Sequence, residues 1–175
     1  MPRVTIELSK EDIRFAKSLA KKRDAKKRKF GAGRYSACSD KTGSSEKSHY
    51  YGLLGEIAVA KFFDVEVDET IYDNHGDSGV DLEVSKFGRC QVKTTTYTDK
   101  PLLRVPMERK KDQSKIDVTD TFICCCINVR NHKSVDIVGW IEKDKVIKYK
   151  TRRFLRYGPL NYVVEESDLN SLNNF

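Results

Sequence analysis

Apolar positions fall at Ile13, Ala16, Leu19 and Ala20, the three- and four-residue spacing of one helical face. Ser9 stands just ahead of them with Asp12 three residues on, the form of an N-terminal cap. The spacing predicts a helix over residues 10–28 with a narrow apolar stripe, packed at the edge of the domain. Residues 31–48 (GAGRYSACSDKTGSSEKS) lose the period and are rich in Gly and Ser, so they read as a loop or a mobile arm. A second helix is expected over residues 49–63, where Leu54, Ile57, Ala58 and Phe62 make one stripe and Leu53, Ala60 and Phe63 widen it.

Beyond Phe63 the pattern turns strand-like. Residues 65–71 form a weak candidate. Residues 80–84 and 89–95, joined by a turn from Ser85 to Gly88, read as a hairpin. Pro101 and Pro106 bracket a further extended piece, and residues 107–117 are polar, a loop or a short helix. The apolar run 122–129 is expected to be a central strand and 135–141, with Trp140, its neighbour. The alternation of Val146, Ile147, Lys148 and Tyr149 suggests a strand over 145–150 pairing with it, and 162–164 is a last short strand. Two helices followed mostly by strands indicate an α+β fold with a mixed sheet.

At 175 residues, 38% apolar and 34% charged, the chain suits one soluble globular domain. Residues 1–30 form its basic helical lead, 31–48 the arm and 49–175 the core. No apolar run approaches the roughly 20 residues that span a bilayer, and the polar Ser9, Lys10 and Glu11 argue against a secretory leader. Of the five cysteines, Cys38, Cys90, Cys124, Cys125 and Cys126, the last three are consecutive. Neighbours on a strand point to opposite faces, so they cannot share a zinc ion. Small buried hydrophobes in a reducing cytoplasm is the better reading.

Charge adds a partner. Residues 10–29 hold ten Lys/Arg against three Asp/Glu, a net +7 that equals the whole chain's. Such a segment implies a polyanion, nucleic acid before an anionic membrane, since its stripe lacks the Trp/Leu-rich face of a membrane helix. Lys21, Lys22, Arg23, Lys26, Lys27 and Arg28, with Arg34 of the arm, are the expected phosphate contacts.

The candidate chemistry lies between the second helix and the hairpin. With strict alternation, Asp81 and Glu83 share one face of their strand, and Gln91 and Lys93 share a face opposite Val92. Paired as a hairpin, Asp81, Gln91 and Lys93 can converge. A carboxylate and an amide oxygen, completed by carbonyls and water, suit a hard cation such as Mg²⁺, with Mn²⁺ able to substitute. A lysine beside it can orient the attacking water and meet a phosphate's charge. Glu56, in GLLGEIAVA, has Gly52, Leu53, Val59 and Ala60 as its helical neighbours, a costly setting for an unpartnered carboxylate. His75, Asp77 and Ser78 just ahead of Asp81 are weaker candidates, and Tyr50, Tyr51, Tyr97 and Arg104 could flank the site. No phosphate-binding GxxxxGK[ST] and no GxSxG elbow occurs.

A helix with GxxGE, an Asp at a strand start and QVK on the next strand, over about residues 50–96, resemble the PD-(D/E)XK nuclease superfamily. The resemblance implies a restriction-endonuclease-like core, a central mixed sheet flanked by helices. It implies that Glu56 is the helical acid, Asp81 the principal metal ligand, Gln91 the second ligand position and Lys93 the catalytic lysine. It further implies a Mg²⁺-dependent deoxyribonuclease, an endonuclease in the favoured form, and a homodimer if both duplex strands are cut. Gln91 departs from the usual Asp or Glu. Glu56 or Glu83 could supply the missing charge; the alternative is a nuclease-like module that binds nucleic acid, or a protein partner, without turnover.

Overall fold

The Ser9 cap closes as a reciprocal box: Ser9 N–H donates to Asp12 Oδ2 (2.8 Å), and Asp12 N–H donates to Ser9 Oγ (3.1 Å). It starts α1 (Lys10–Lys29) in the computed structural model, which describes residues 2–29, 45–71, 79–107, 116, 118–154, 156 and 159–172. Ahead of it, β1 (Val4–Glu7) is a strand that the sequence reading passed over, four residues in which Val4 and Ile6 turn to the core. The second helix, α2 (Ser45–Phe63), begins four residues earlier than expected, inside the segment read as loop. Of that segment, residues 31–44 lie outside the described residues, as does Cys38.

α2 is buried on nearly every side from Leu53 to Ala60. A helix apolar all round must be covered all round, and α2 is: Ala16, Leu19 and Ala20 of α1 join its core cluster on one side and the sheet joins it on the other. Asp12 at the start of α1 accepts from Lys61 near the end of α2 at 2.6 Å, which fixes the two helices end to end. Asp64, in the left-handed region at φ 55°, stops α2, and Val65 N–H closes on Ala60 O at 3.0 Å.

Among the described residues the main sheet has five strands in the order β1, β6 (Ser134–Glu142), β5 (Thr121–Cys126), β3 (Gly88–Thr95), β2 (Leu82–Val84). β3 and β5 run parallel and the other pairs antiparallel, so the sheet is mixed as expected. β5 is buried at all six positions. Its alternation places Ile123 and Cys125 in the core beneath α2, and Phe122, Cys124 and Cys126 in a second core on the far face. The consecutive cysteines thus split between two cores, and Cys90, Cys124, Cys125 and Cys126 are all free thiols.

A smaller sheet, β4 (Leu102–Pro106), β8 (Leu160–Glu165) and β7 (Thr151–Arg153), covers that far face through Leu103, Val105 and Val164. The expectation of a mixed sheet with helices holds, but the covering differs by face: α1 and α2 lie over one, and the smaller sheet, with Val146 beside it, over the other. Two strand expectations also fail. Among the described residues, 65–71 pair with no strand; the carbonyls of Asp68 and Thr70 accept from Arg23, and that of Ile71 from Lys26. The alternation at 145–150 is misleading because α3 (Lys143–Val146) turns there, burying Val146 in the second core and leaving Ile147 46% exposed. Among the described residues no helix is long and apolar enough to cross a membrane.

α2 lies tightly on the sheet at Gly55. A Cβ added there would collide with Oγ1 of Thr94 on β3 and lie 3.4 Å from Val92 Cγ1. Gly55→Ala should therefore destabilise the chain by about 1–3 kcal/mol through overpacking, although alanine is the better helix former by roughly 1 kcal/mol. Thr94→Ala in the same chain should recover part of the loss. Chemical denaturation of both variants checks this, and an unchanged or raised midpoint in Gly55→Ala would refute the tight approach.

Candidate functional site

Next to Gly55 on the same helix, Glu56 is held beside the end of the hairpin. Its side chain leans over the preceding turn, where a Cβ on Gly52 would sit 3.8 Å from Glu56 Oε1. Its other oxygen, Oε2, is 3.6 Å from Arg23 Nη1. Glu56 is only 9% exposed. Burial, reinforced by the negative charge of Asp81, pushes its carboxyl up to about 8, against the opposing pull of Arg23 and Lys93. Glu56, Asp81, Lys93 and Arg23 thus form one electrostatic neighbourhood.

Asp81 reaches it through an irregularity at the entry to β2. Leu82 is the register partner of Cys90, yet the Cys90 carbonyl also accepts from Asp81 N–H at 2.9 Å. Two residues thus meet one, an arrangement that re-aims a side chain relative to simple alternation. The carboxylate of Asp81 then caps the strand edge, Oδ2 accepting from Val92 N–H at 2.8 Å.

Gln91 and Lys93 arrive from the other direction. Cys90 and Val92 belong to the core beneath α2, so the residues between and after them alternate onto the opposite side of β3. Lys93 remains within electrostatic reach of Glu56. Gln91 is buried, and among the described residues its amide makes no hydrogen bond that would tie it to Glu56 or Asp81. Glu56 thus feels the charges of Asp81 and Lys93, but Gln91 and Lys93 stand on the face of β3 turned away from α2, so the expected convergence of all four side chains from one side is corrected. Glu83 is exposed on β2. His75, Asp77 and Ser78 lie outside the described residues. Tyr50 and Tyr51 pack on His132 instead, with ring centroids 5.5 and 5.4 Å from it.

Two of the expected phosphate contacts are engaged within the fold. Arg23 has Nη1 near Glu56, Nε on Thr70 O at 3.3 Å and Nη2 on Asp68 O at 2.7 Å. Lys26 Nζ donates to Ile71 O at 3.1 Å. Lys21 and Lys22 are exposed as expected; the side chains of Lys27 and Arg28, and all of Arg34, lie outside the described residues. The signal for Arg23 was in the spacing, because Ala16, Ala20 and Arg23 continue one helical stripe toward α2.

Asp81 also lines a cleft of about 1160 Å³ between β2, the 64–69 segment and the helices. Among the described residues its charged lining is seven acids (Asp12, Asp64, Glu66, Asp68, Glu69, Asp81, Glu83) and Lys61. A polyanion is repelled from such a wall unless a cation intervenes. Among the described residues, no three His, Cys, Asp or Glu side chains converge as a metal cluster. No family model, curated protein or solved structure matches the chain.

The raised Glu56 carboxyl has a definite consequence for stability without metal. Below its ordinary value of 4.5 both folded and unfolded chains hold the proton. As pH rises toward about 8 the unfolded chain ionises while the folded one does not, so stability falls, by at most about 1.4 kcal/mol per pH unit. Glu56→Gln should remove that slope. Urea denaturation of both chains in EDTA between these limits checks it; parallel pH profiles would show that Glu56 ionises normally.

Proposed function

We propose that the chain is a divalent-metal-dependent nuclease of the PD-(D/E)XK type, acting on DNA, with α2, β2 and β3 in a restriction-endonuclease-like arrangement. The observation that carries this reading is a buried Glu56 on α2, 3.6 Å from Arg23, with Asp81 held at the neighbouring strand edge by Val92 N–H at 2.8 Å. Two carboxylates that oppose each other's ionisation, one of them buried, gain most from a shared cation. Mg²⁺ or Mn²⁺ fits the donor set, since such ions are held through one or two carboxylates and keep several waters. Asp81 and Glu56 would hold it, while Gln91 stands on the face of β3 turned away from α2.

When bound, the ion supplies Lewis acidity and a more acidic coordinated water. The chain's own groups do the rest. The Lys93 ammonium meets the charge that builds on the scissile phosphate and orients the attacking water. Arg23 holds Glu56 in place and also ties down residues 68–70. The bond from Val92 N–H fixes the Asp81 carboxylate against the strand edge. Lys21 and Lys22, on the exposed side of α1, add salt-dependent affinity that is indifferent to sequence. A homodimer would present a second copy of the site for cutting both strands of a duplex.

The neutral Gln91 favours a second reading, a nucleic-acid-binding module without turnover. Purified protein with Mg²⁺ or Mn²⁺ should cut plasmid or single-stranded DNA. Asp81→Ala and Lys93→Ala should each lose at least about 100-fold in rate while still binding. Calorimetry should detect a saturable metal site that disappears in Asp81→Asn. Binding with no cleavage and no metal site would replace the nuclease by the binding module. Separately, neutralising Lys21 and Lys22 should weaken DNA binding uniformly across sequences and flatten its salt dependence by about one unit for each lysine that contacts phosphate.

A further inference from the structure

The outer face of the smaller sheet carries a stack of rings and guanidinium groups. Leu103 and Val105 turn into the second core, so Arg104 between them faces outward. Arg104 is the register partner of Val163, and Arg152 that of Asn161; Val163 and Asn161 lie two residues apart on β8 and share that face. Phe154, just beyond β7, lies between the two arginines. The guanidinium carbon of Arg104 is 3.9 Å from its ring centroid and that of Arg152 is 5.2 Å away. Arg104 also lies 5.4 Å from the ring of Tyr97, which is 61% exposed.

Packing alone does not account for this arrangement. Two guanidinium groups flank one ring, and among the described residues neither Arg104 nor Arg152 forms an ion pair. Arg104 Nε is buried with no hydrogen-bond partner. Glu165, paired in register with Leu102, stands at one end of the face. The Tyr97 loop is anchored rather than loose: Arg3 donates to Thr98 O at 2.8 Å while gripping Glu166 through two bonds.

We infer that this face binds single-stranded nucleic acid, with unpaired bases stacking on the exposed Tyr97 ring and on the guanidinium planes that Phe154 supports, and phosphates meeting Arg104 and Arg152. Planar rings offer stacking that every base can use, and arginines between them supply both a stacking plane and a positive charge for the backbone. A duplex hides its base faces, so it gains only the charge. The surface does not depend on the nuclease reading. If that reading is right, four residues of chain, at most about 14 Å, separate Tyr97 from Lys93, and one strand could engage both.

The test is fluorescence anisotropy with labelled oligo(dT), oligo(U) and a hairpin duplex, on the full chain in EDTA so that nothing is cut. At least one single strand should bind about tenfold or more tightly than the duplex; preference between oligo(dT) and oligo(U) identifies DNA or RNA as the source of the unpaired bases. Tyr97→Ala, at an exposed position, and Phe154→Leu, which keeps apolar bulk but removes the ring, should each weaken single-strand binding about tenfold and leave duplex binding unchanged. Because nothing is cut in EDTA, the outcome of the cleavage assay does not bear on this surface. Equal affinity for single strands and duplex, or folded Tyr97→Ala and Phe154→Leu chains that bind as the parent does, would overturn the inference.

Discussion

Everything at the candidate site follows from how closely α2 lies on β3. The helix meets the strand at Gly55, where the Thr94 hydroxyl occupies the space that any side chain would need. That contact fixes the depth of the next residue, Glu56, and depth fixes its chemistry. A carboxylate on the surface of α2 would be an ordinary acid. Sunk beside Asp81, with Arg23 at 3.6 Å, it becomes a group whose ionisation depends on which charges surround it.

The rest of the architecture serves this depth. Because α1 covers α2 from outside, Arg23 reaches inward to Glu56 instead of outward to solvent. The irregular entry to β2 turns Asp81 to the strand edge, where it replaces a missing strand partner for Val92. Negative charge therefore gathers along the Asp81 cleft, with Lys61 among its lining, while Lys21 and Lys22 of α1 and the arginines of β7 stand exposed elsewhere. On the proposed reading, nucleic acid is gathered by the basic surfaces and approaches the acidic edge only through a metal ion.

Much of this could be read from the chain. The capping box, both helices, the hairpin and the buried β5 follow from spacing and alternation, and the split of Cys124, Cys125 and Cys126 between two cores follows from the pleat. The failures share a cause: tertiary partners override local pattern. Residues 65–71 alternate like a strand, but side chains of α1 take the carbonyls that a neighbouring strand would need. Residues 145–150 alternate too, yet Val146 reaches the second core more readily from a helical turn. At the site, Glu56, Asp81 and Lys93 could be named in advance. Their approach from different sides of β3, and the capture of Arg23, depend on the helix-on-helix layer and on the slip at Asp81, neither of which alternation contains.

The central claim is that Glu56 and Asp81 share one divalent ion. Crystals soaked in Mn²⁺ and measured for anomalous scattering test it most directly. The account predicts a single strong peak within coordination distance of both carboxylates, with Lys93 alongside. No peak between them in well-soaked crystals, or a Mn²⁺ ion bound only elsewhere on the chain, would contradict it.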